Sequence, residues 1–188
     1  MGNTQIKKLN KLNNASACIT YDNEYGYNLC NQPYALCTSA QCTASSQDPN
    51  IVICNCPIEN GCSMGMEDCS ALQPFSANGV DYIYSTYNPS QFFEKNMNLY
   101  QYPNNYSNST QFADCLDQVC IISPSDPTTA FCQCPLISNN NQWVALGNDY
   151  NVDPNIYLSG APYNIYQSSR KFFMPFGVKI PKRPVNVH

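Results

Sequence analysis

Twelve cysteines are the residues of this 188-residue chain best equipped for chemistry, and eight of them fall into two runs of one spacing. Cys37-x4-Cys42-x11-Cys54-x-Cys56 recurs as Cys115-x4-Cys120-x11-Cys132-x-Cys134, displaced by 78 residues. More than sulfur survives the shift. Tyr34 maps to Phe112, Ala35 to Ala113, Ser45 to Ser123, Asp48-Pro49 to Asp126-Pro127 and Pro57 to Pro135. Thiols so arranged can pair as disulfides or hold a metal. Structural zinc sites favour Cys-x2-Cys knuckles, often completed by His. The close pairs here are Cys-x-Cys and Cys-x4-Cys, and the only histidine is His188. The spacing therefore points to disulfides, with no metal and no other cofactor, and the even count permits complete pairing. Spacing does not fix the connectivity of twelve cysteines. For the four outside the repeat, the local pairs Cys18–Cys30 and Cys62–Cys69 are the simplest expectation.

Other candidate chemistry is thin. Gly61-Cys62-Ser63-Met64-Gly65 fits a G-x-S-x-G nucleophile elbow, but that device needs a preceding strand, a following helix and a histidine base. A glycine-rich disulfide loop is the plainer reading. Asp114 with Asp117, or Glu67 with Asp68, could be posed as an acid/base pair for glycoside cleavage, yet nothing in the sequence raises either pKa. No phosphate loop, dinucleotide fingerprint, calcium loop or HExxH occurs. The expectation is a protein that is not an enzyme and has no small-molecule substrate.

The elements that must position the cysteines are strands. Pro33 to Thr43 reads as one strand and Ile51 to Ile58 as its partner, with turn chemistry from Ser45 to Asn50. The second copy repeats this in Gln111 to Ile122, Ser123 to Thr128 and Thr129 to Ile137. Facing strands bring Cys42 near Cys54, and Cys120 near Cys132. Cys37 and Cys42 are five apart and point to opposite faces, so a bulge or an internal turn must absorb the odd residue. Val80, Tyr82 and Tyr84 suit a strand, and Gln91 to Leu99 is the best helical candidate. Asn148 to Tyr166 reads as extended, and Pro175, Pro181 and Pro184 exclude a long helix from the tail. The fold class expected is mostly β, small and disulfide-rich. Two tandem cysteine-stapled β-hairpin modules would carry extended N- and C-terminal arms. The divisions are a basic N-terminal arm (1–14), module one (15–73), a Tyr/Asn-rich connector (74–110), module two (111–147) and an extended C-terminal arm with a basic tail (148–188).

Charge is as unevenly distributed as sulfur. All thirteen acidic residues fall between Asp22 and Asp153, where Lys95 is the only base. The other eight bases lie in residues 7–11 and 170–183. A basic arm can dock on an acidic body, its own or a neighbour's. The assembly contacts expected are therefore Lys7, Lys8, Lys11, Arg170, Lys171, Phe172, Phe173, Phe176, Lys179, Lys182 and Arg183, with the phenylalanines as anchors. Copies of the same chain, or other subunits of one assembly, are the expected partners. A net charge of −4 argues against nucleic acid. No stretch is long and apolar enough to span a bilayer as a helix, which argues against a membrane partner. Asn14, Asn105 and Asn108 head glycosylation sequons.

Disulfides imply an oxidising setting, extracellular, at a cell surface or in a virion. Residues 1–17 contain no apolar run of the signal-peptide kind. Either a signal is removed upstream or oxidation follows another route, such as thiol-oxidising machinery carried by a virus. Met1-Gly2 opens a myristoylation-like pattern, but Ile6 stands where Ser or Thr is expected. Charged residues make up only 12%, while Asn (25) and Tyr (14) abound. Together these features point to a structural subunit of an ordered assembly, a surface filament or a shell component. The alternative is a secreted recognition module that binds glycan or protein through exposed tyrosines.

Overall fold

A computed structural model of the chain describes residues 18, 24–93, 97–102, 111–138, 142–147, 153, 155–180 and 185–186. Alternation sets the strands of the first repeat. In β3 (Ile51–Gly65), Val52, Cys54 and Cys56 point inward while Ile53, Asn55 and Pro57 point outward. β2 (Gln41–Ala44) pairs antiparallel with the start of β3, Cys42 opposite Cys54, and β1 (Asn28–Leu36) pairs with its distal half. The second repeat builds β7 (Gln111–Ala113), β8 (Val119–Ile122) and β9 (Thr129–Ser138) in the same relation, with Cys120 opposite Cys132. Both hairpin turns form where the sequence places them. Ser45 N–H donates to Ile51 O at 3.0 Å, and Ser123 N–H donates to Thr129 O at 2.9 Å. The odd residue of Cys-x4-Cys is absorbed by a turn rather than a bulge. Ala40 N–H donates to Cys37 O, and in the second copy Asp117 takes φ 57°.

The two copies are not tandem hairpins. β3 and β9 lie antiparallel side by side with Cys54 opposite Cys132, its own counterpart in the repeat. That register puts a local two-fold axis through the Cys54/Cys132 pair, perpendicular to the sheet. The flanking hydrogen bonds obey it: Ile58 N–H to Thr128 O and Leu136 N–H to Asn50 O are both 2.8 Å. A fourth strand is exchanged across the axis. β5 (Val80–Thr86) follows the first module in sequence but pairs with β8 of the second. β11 (Ile156–Leu158) follows the second module but pairs with β2 of the first. The end of β5 also pairs in parallel with β1, Ser85 opposite Ala35, which closes β3, β1, β5, β8 and β9 into a ring, and just beyond β11 Ser159 bridges in parallel to Ala113. Ser85 N–H donates to Gln118 O and Ser159 N–H to Ala40 O, both at 2.9 Å. β4 (Phe75–Ala77) adds to the edge of β5 through a turn at Asn78 and Gly79, both at positive φ. The result is one nine-stranded sheet shared by both repeats.

A second sheet of four strands runs β12 (Gly160–Pro162), β10 (Trp143–Gly147), β6 (Asn98–Tyr102), β13 (Val185–Asn186). Against it lies α1 (Tyr163–Phe173), where an extended segment was expected. Its prolines stand outside the helix rather than within it. Pro162 precedes the first turn and Pro175 falls in the short 3-10 turn Met174–Phe176 that follows. Tyr166, Phe172 and Phe173 reach a core with Tyr27, Leu29, Met64, Leu99, Val144, Leu146, Val178 and Ile180. The helix expected over Gln91–Leu99 is replaced by a 3-10 turn, Pro89–Phe93, and by β6.

Candidate functional surface and the disulfide core

All twelve cysteines are joined, in six disulfides. Cys42–Cys54 and Cys120–Cys132 each close a separation of 12 residues, with Cα–Cα distances of 4.1 and 4.0 Å. Cys37–Cys56 and Cys115–Cys134 each close 19. The repeat in spacing is thus a repeat in connectivity. Local pairing fails for the remaining four, which join as Cys18–Cys62 and Cys30–Cys69. The reason is register: Cys30 lies opposite Ser63 and Asn31 opposite Cys62. Cys30 and Cys62 therefore point to opposite faces of the β1–β3 ladder, and each finds its partner on its own side.

Across the sheet interior runs one straight row, Ile83–Cys120–Cys132–Cys54–Cys42–Tyr157, symmetric about its centre. Neighbouring disulfides touch: Cys37 Sγ lies 3.3 Å from Cys132 Sγ, and Cys115 Sγ lies 3.4 Å from Cys54 Sγ. These contacts create the two three-sulfur groups Cys37/Cys56/Cys132 and Cys42/Cys54/Cys115, which are sets of bonded sulfurs packed together.

The expected arm contacts are placed differently. Phe172 and Phe173 are 1% and 2% exposed inside the chain's own core, and Phe176 packs against it. Phe172 and Phe173 anchor α1 to the chain's own core, and Phe176 stays half-buried at its edge. Arg170 lies over the Tyr166 ring at 5.8 Å and donates through Nε to Ile180 O at 3.3 Å. Lys171 and Lys179 are exposed. β13 pairs with β6, so this part of the tail also returns to its own sheet. Lys7, Lys8, Lys11, Lys182 and Arg183, and the sequon residues Asn14, Asn105 and Asn108, lie outside the described residues.

Gly61–Gly65 is strand rather than elbow. Ser63 is buried in β3 and accepts a hydrogen bond from Thr86 Oγ1 at 2.6 Å, and Cys62 is bonded to Cys18. Asp117 Oδ2 accepts the backbone N–H groups of Met66 (2.7 Å) and Glu67 (3.1 Å). Asp114 Oδ1 accepts from Leu116 N–H at 3.4 Å. Burial raises the pKa of both carboxyls, a cause invisible in the sequence. For Asp117 the backbone donors oppose that shift, while Glu67 and Asp114 add to it. Tyr87 is raised by burial first and by the charge on Asp114 next. The Asp117 carboxylate is thereby occupied in fixing the chain as it leaves β3.

The outward face of the nine-stranded sheet is the remaining candidate. Two rows flank the cysteine row on that side. One is Tyr82, Ile121, Phe131, Asn55 and Gln41; the other is Tyr84, Val119, Gln133, Ile53, Thr43 and Ile156. Phe75 stacks on Tyr82 at 4.8 Å and extends the first row. None of these twelve residues is charged. Val119 and Phe131 are each 41% exposed and Phe75 42%. Tyr82, Tyr84 and Ile121 are half-buried. Sequence reasoning identified the strand but missed this face, because only the pairing of β5 with β8 and of β8 with β9 brings its residues together.

Fold and core define a mostly-β, disulfide-rich protein whose twelve cysteines fall in two regions of sequence. No protein family matches the chain, and no curated protein or solved structure shows significant similarity to it. Six disulfides fit maturation in an oxidising environment. No helix among the described residues is long and apolar enough to cross a membrane.

Proposed function

We propose that this chain is a non-catalytic structural subunit of a large ordered assembly, extracellular or part of a virion, such as a surface filament or a shell component. The supporting observation is the cysteine core. Every thiol is committed to a disulfide, and four of the six disulfides form one packed, two-fold array beneath a single sheet. Such cross-linking restrains the unfolded chain and suits a part that must persist outside the cell. Phe172 and Phe173 are internal, so in this reading other residues supply the contacts between subunits. Electron microscopy of native material tests the proposal, with and without reductant. Repeating filaments or shells that contain the chain, and that weaken on reduction, are expected. Native material holding only dispersed single copies would refute it.

The aromatic cluster of exposed Phe75 with half-buried Tyr82 and Tyr84 favours a second reading, a secreted module that recognises glycan or protein. Saturable binding of an oligosaccharide, lost on Tyr82→Ala in a chain that stays monomeric, would select it over the first.

A further inference from the structure

We infer that the disulfide core holds a second pairing in reserve, Cys37 with Cys132 and Cys54 with Cys115. Opening one bridge of the core then hands its thiol across the boundary between the two modules. This chemistry is internal to the chain and is independent of whether the chain assembles.

The arrangement follows from the β3–β9 pair. Cys54 and Cys56 point inward from β3, and Cys132 and Cys134 from β9 beside it. Their bonded partners are Cys42 and Cys37 of the first module and Cys120 and Cys115 of the second. Cys37, bonded to Cys56 of β3, also touches Cys132 of β9 at 3.3 Å. Cys115, bonded to Cys134 of β9, touches Cys54 of β3 at 3.4 Å. A disulfide is about 2.05 Å long, so either contact needs only about 1.3 Å of closure to become one. Rotation of one cysteine side chain between staggered wells moves its sulfur further than that. All eight residues are at most 1% exposed, so a thiol released here meets the neighbouring disulfide before any thiol from outside.

In the intact core the contact is side-on. Exchange requires the attacking sulfur to lie in line with the bond it breaks. An in-line approach would set Cys132 Sγ about 5.4 Å from Cys56 Sγ, the 3.3 Å contact added to the 2.07 Å bond, yet the three sulfurs lie within 4.8 Å of one another. Release from Cys120 frees Cys132 to turn into line. In the first step a dithiol reduces Cys120–Cys132, giving up two electrons and two protons and closing to its own disulfide. The Cys132 thiolate then attacks Cys37 Sγ. The Cys37–Cys132 bond forms, the Cys37–Cys56 bond breaks, and Cys56 leaves as a thiolate that takes up the proton Cys132 lost. This second step consumes neither oxidant nor reductant. The free thiol has moved to the other module, and a bridge now ties the two modules together. The two-fold gives the mirror route, in which Cys54 attacks Cys115 and Cys134 leaves.

Single substitutions in the full chain isolate the second step, because each leaves one thiol and needs no reductant. Cys120→Ala strands Cys132 beside Cys37–Cys56, and Cys56→Ala strands Cys37 beside Cys120–Cys132. Both should converge on one bridge, Cys37–Cys132. Each oxidised variant is equilibrated without air at about pH 8.5, where a cysteine thiol is half ionised. It is then quenched in acid, labelled with a maleimide in denaturant and mapped by peptide mass spectrometry. At least about a tenth of the chains should carry Cys37–Cys132, with the label moved to Cys56 in the first variant and to Cys120 in the second. Cys69→Ala is the control. It strands Cys30, which belongs to neither three-sulfur group, and its label should stay on Cys30. Near-ultraviolet circular dichroism, reporting Trp143 stacked on Tyr102 at 4.1 Å, selects the variants that fold. Cys42→Ala and Cys134→Ala, which should converge on Cys54–Cys115, provide a second pair of folded variants. Label that stays on the stranded cysteine in folded variants overturns the inference. So does label spread over many cysteines in Cys69→Ala as well, since that is general scrambling and not transfer at a contact.

Discussion

Removing Cys42–Cys54 should cost the same as removing Cys120–Cys132. Each bridge closes a separation of 12 residues, each joins directly opposed residues, and each occupies the same place in the row about the Cys54/Cys132 axis. Loop-closure entropy gives about 3 kcal/mol for a loop of that length. Taking two sulfurs from a core where Cys42, Cys54, Cys120 and Cys132 are fully buried adds a cavity cost of about 1–2 kcal/mol. Cys42→Ala/Cys54→Ala and Cys120→Ala/Cys132→Ala should therefore each lose about 4–5 kcal/mol, matching within about 1 kcal/mol. Urea unfolding followed by far-ultraviolet circular dichroism, and independently by the single tryptophan, measures both. The quadruple variant should depart from the sum, since Cys54 and Cys132 are cross-strand neighbours. A gap above about 2 kcal/mol between the two pairs would refute the equivalence of the halves.

Three further outcomes follow from individual contacts. Gly65→Ala should destabilise by about 2 kcal/mol or more, because a Cβ there would stand 2.6 Å from Asp117 Oδ1 and 2.7 Å from Leu72 Cδ1; thermal denaturation checks it. Phe172→Ala should cost about 3–5 kcal/mol in dilute, unassembled protein, and deletion of 170–188 should prevent folding instead of leaving a folded body. A stable truncated chain by circular dichroism would refute that. Asp114 is raised in the folded chain above its ordinary 3.8 by burial, so its ionisation costs stability once pH exceeds the folded pKa. That cost is relieved as pH falls through the folded value toward 3.8. Asp114→Asn keeps the acceptor for Leu116 N–H, so it should be more stable than wild type at neutral pH. Its advantage should shrink on acidification, and an advantage that grew instead would reverse the sign of the argument.

The parts of this fold legible in the sequence are those fixed by short range. Turn residues at Asp48-Pro49 and Asp126-Pro127 set the hairpins, and the hairpins bring Cys42 to Cys54 and Cys120 to Cys132. Asn78-Gly79 was equally readable as the turn between β4 and β5, since both residues supply the positive φ it needs. The extended reading of the C-terminal arm failed from Tyr163 onward, while the prolines of the tail do stop the helix, which ends at Phe173 before Pro175. Pro162 and Pro175 mark the outside of an eleven-residue helix, and Tyr166, Phe172 and Phe173 fall on one helical side between them. Strand exchange was not readable at all. Val80 to Thr86 looks like a strand in any context, and nothing in its own residues says that it pairs with β8 rather than β2. That choice is made by the β3–β9 contact, which no local pattern encodes.

The β3–β9 pair has the geometry of an interface between two copies of one module, with each residue meeting the counterpart of its mirror position. Exchange of β5 and β11 across it interlocks the halves, as in a swapped dimer joined into one chain. Inside, the halves have stayed alike because each cysteine needs its partner. Outside, they have diverged: Phe131 stands where Ile53 does, Ile121 where Thr43 does, and Val119 where Gln41 does. Disulfide geometry places no demand on those outward positions, and the aromatic side chains Phe75, Tyr82, Tyr84 and Phe131 gather on one half where the other carries Ile53 and Ile156.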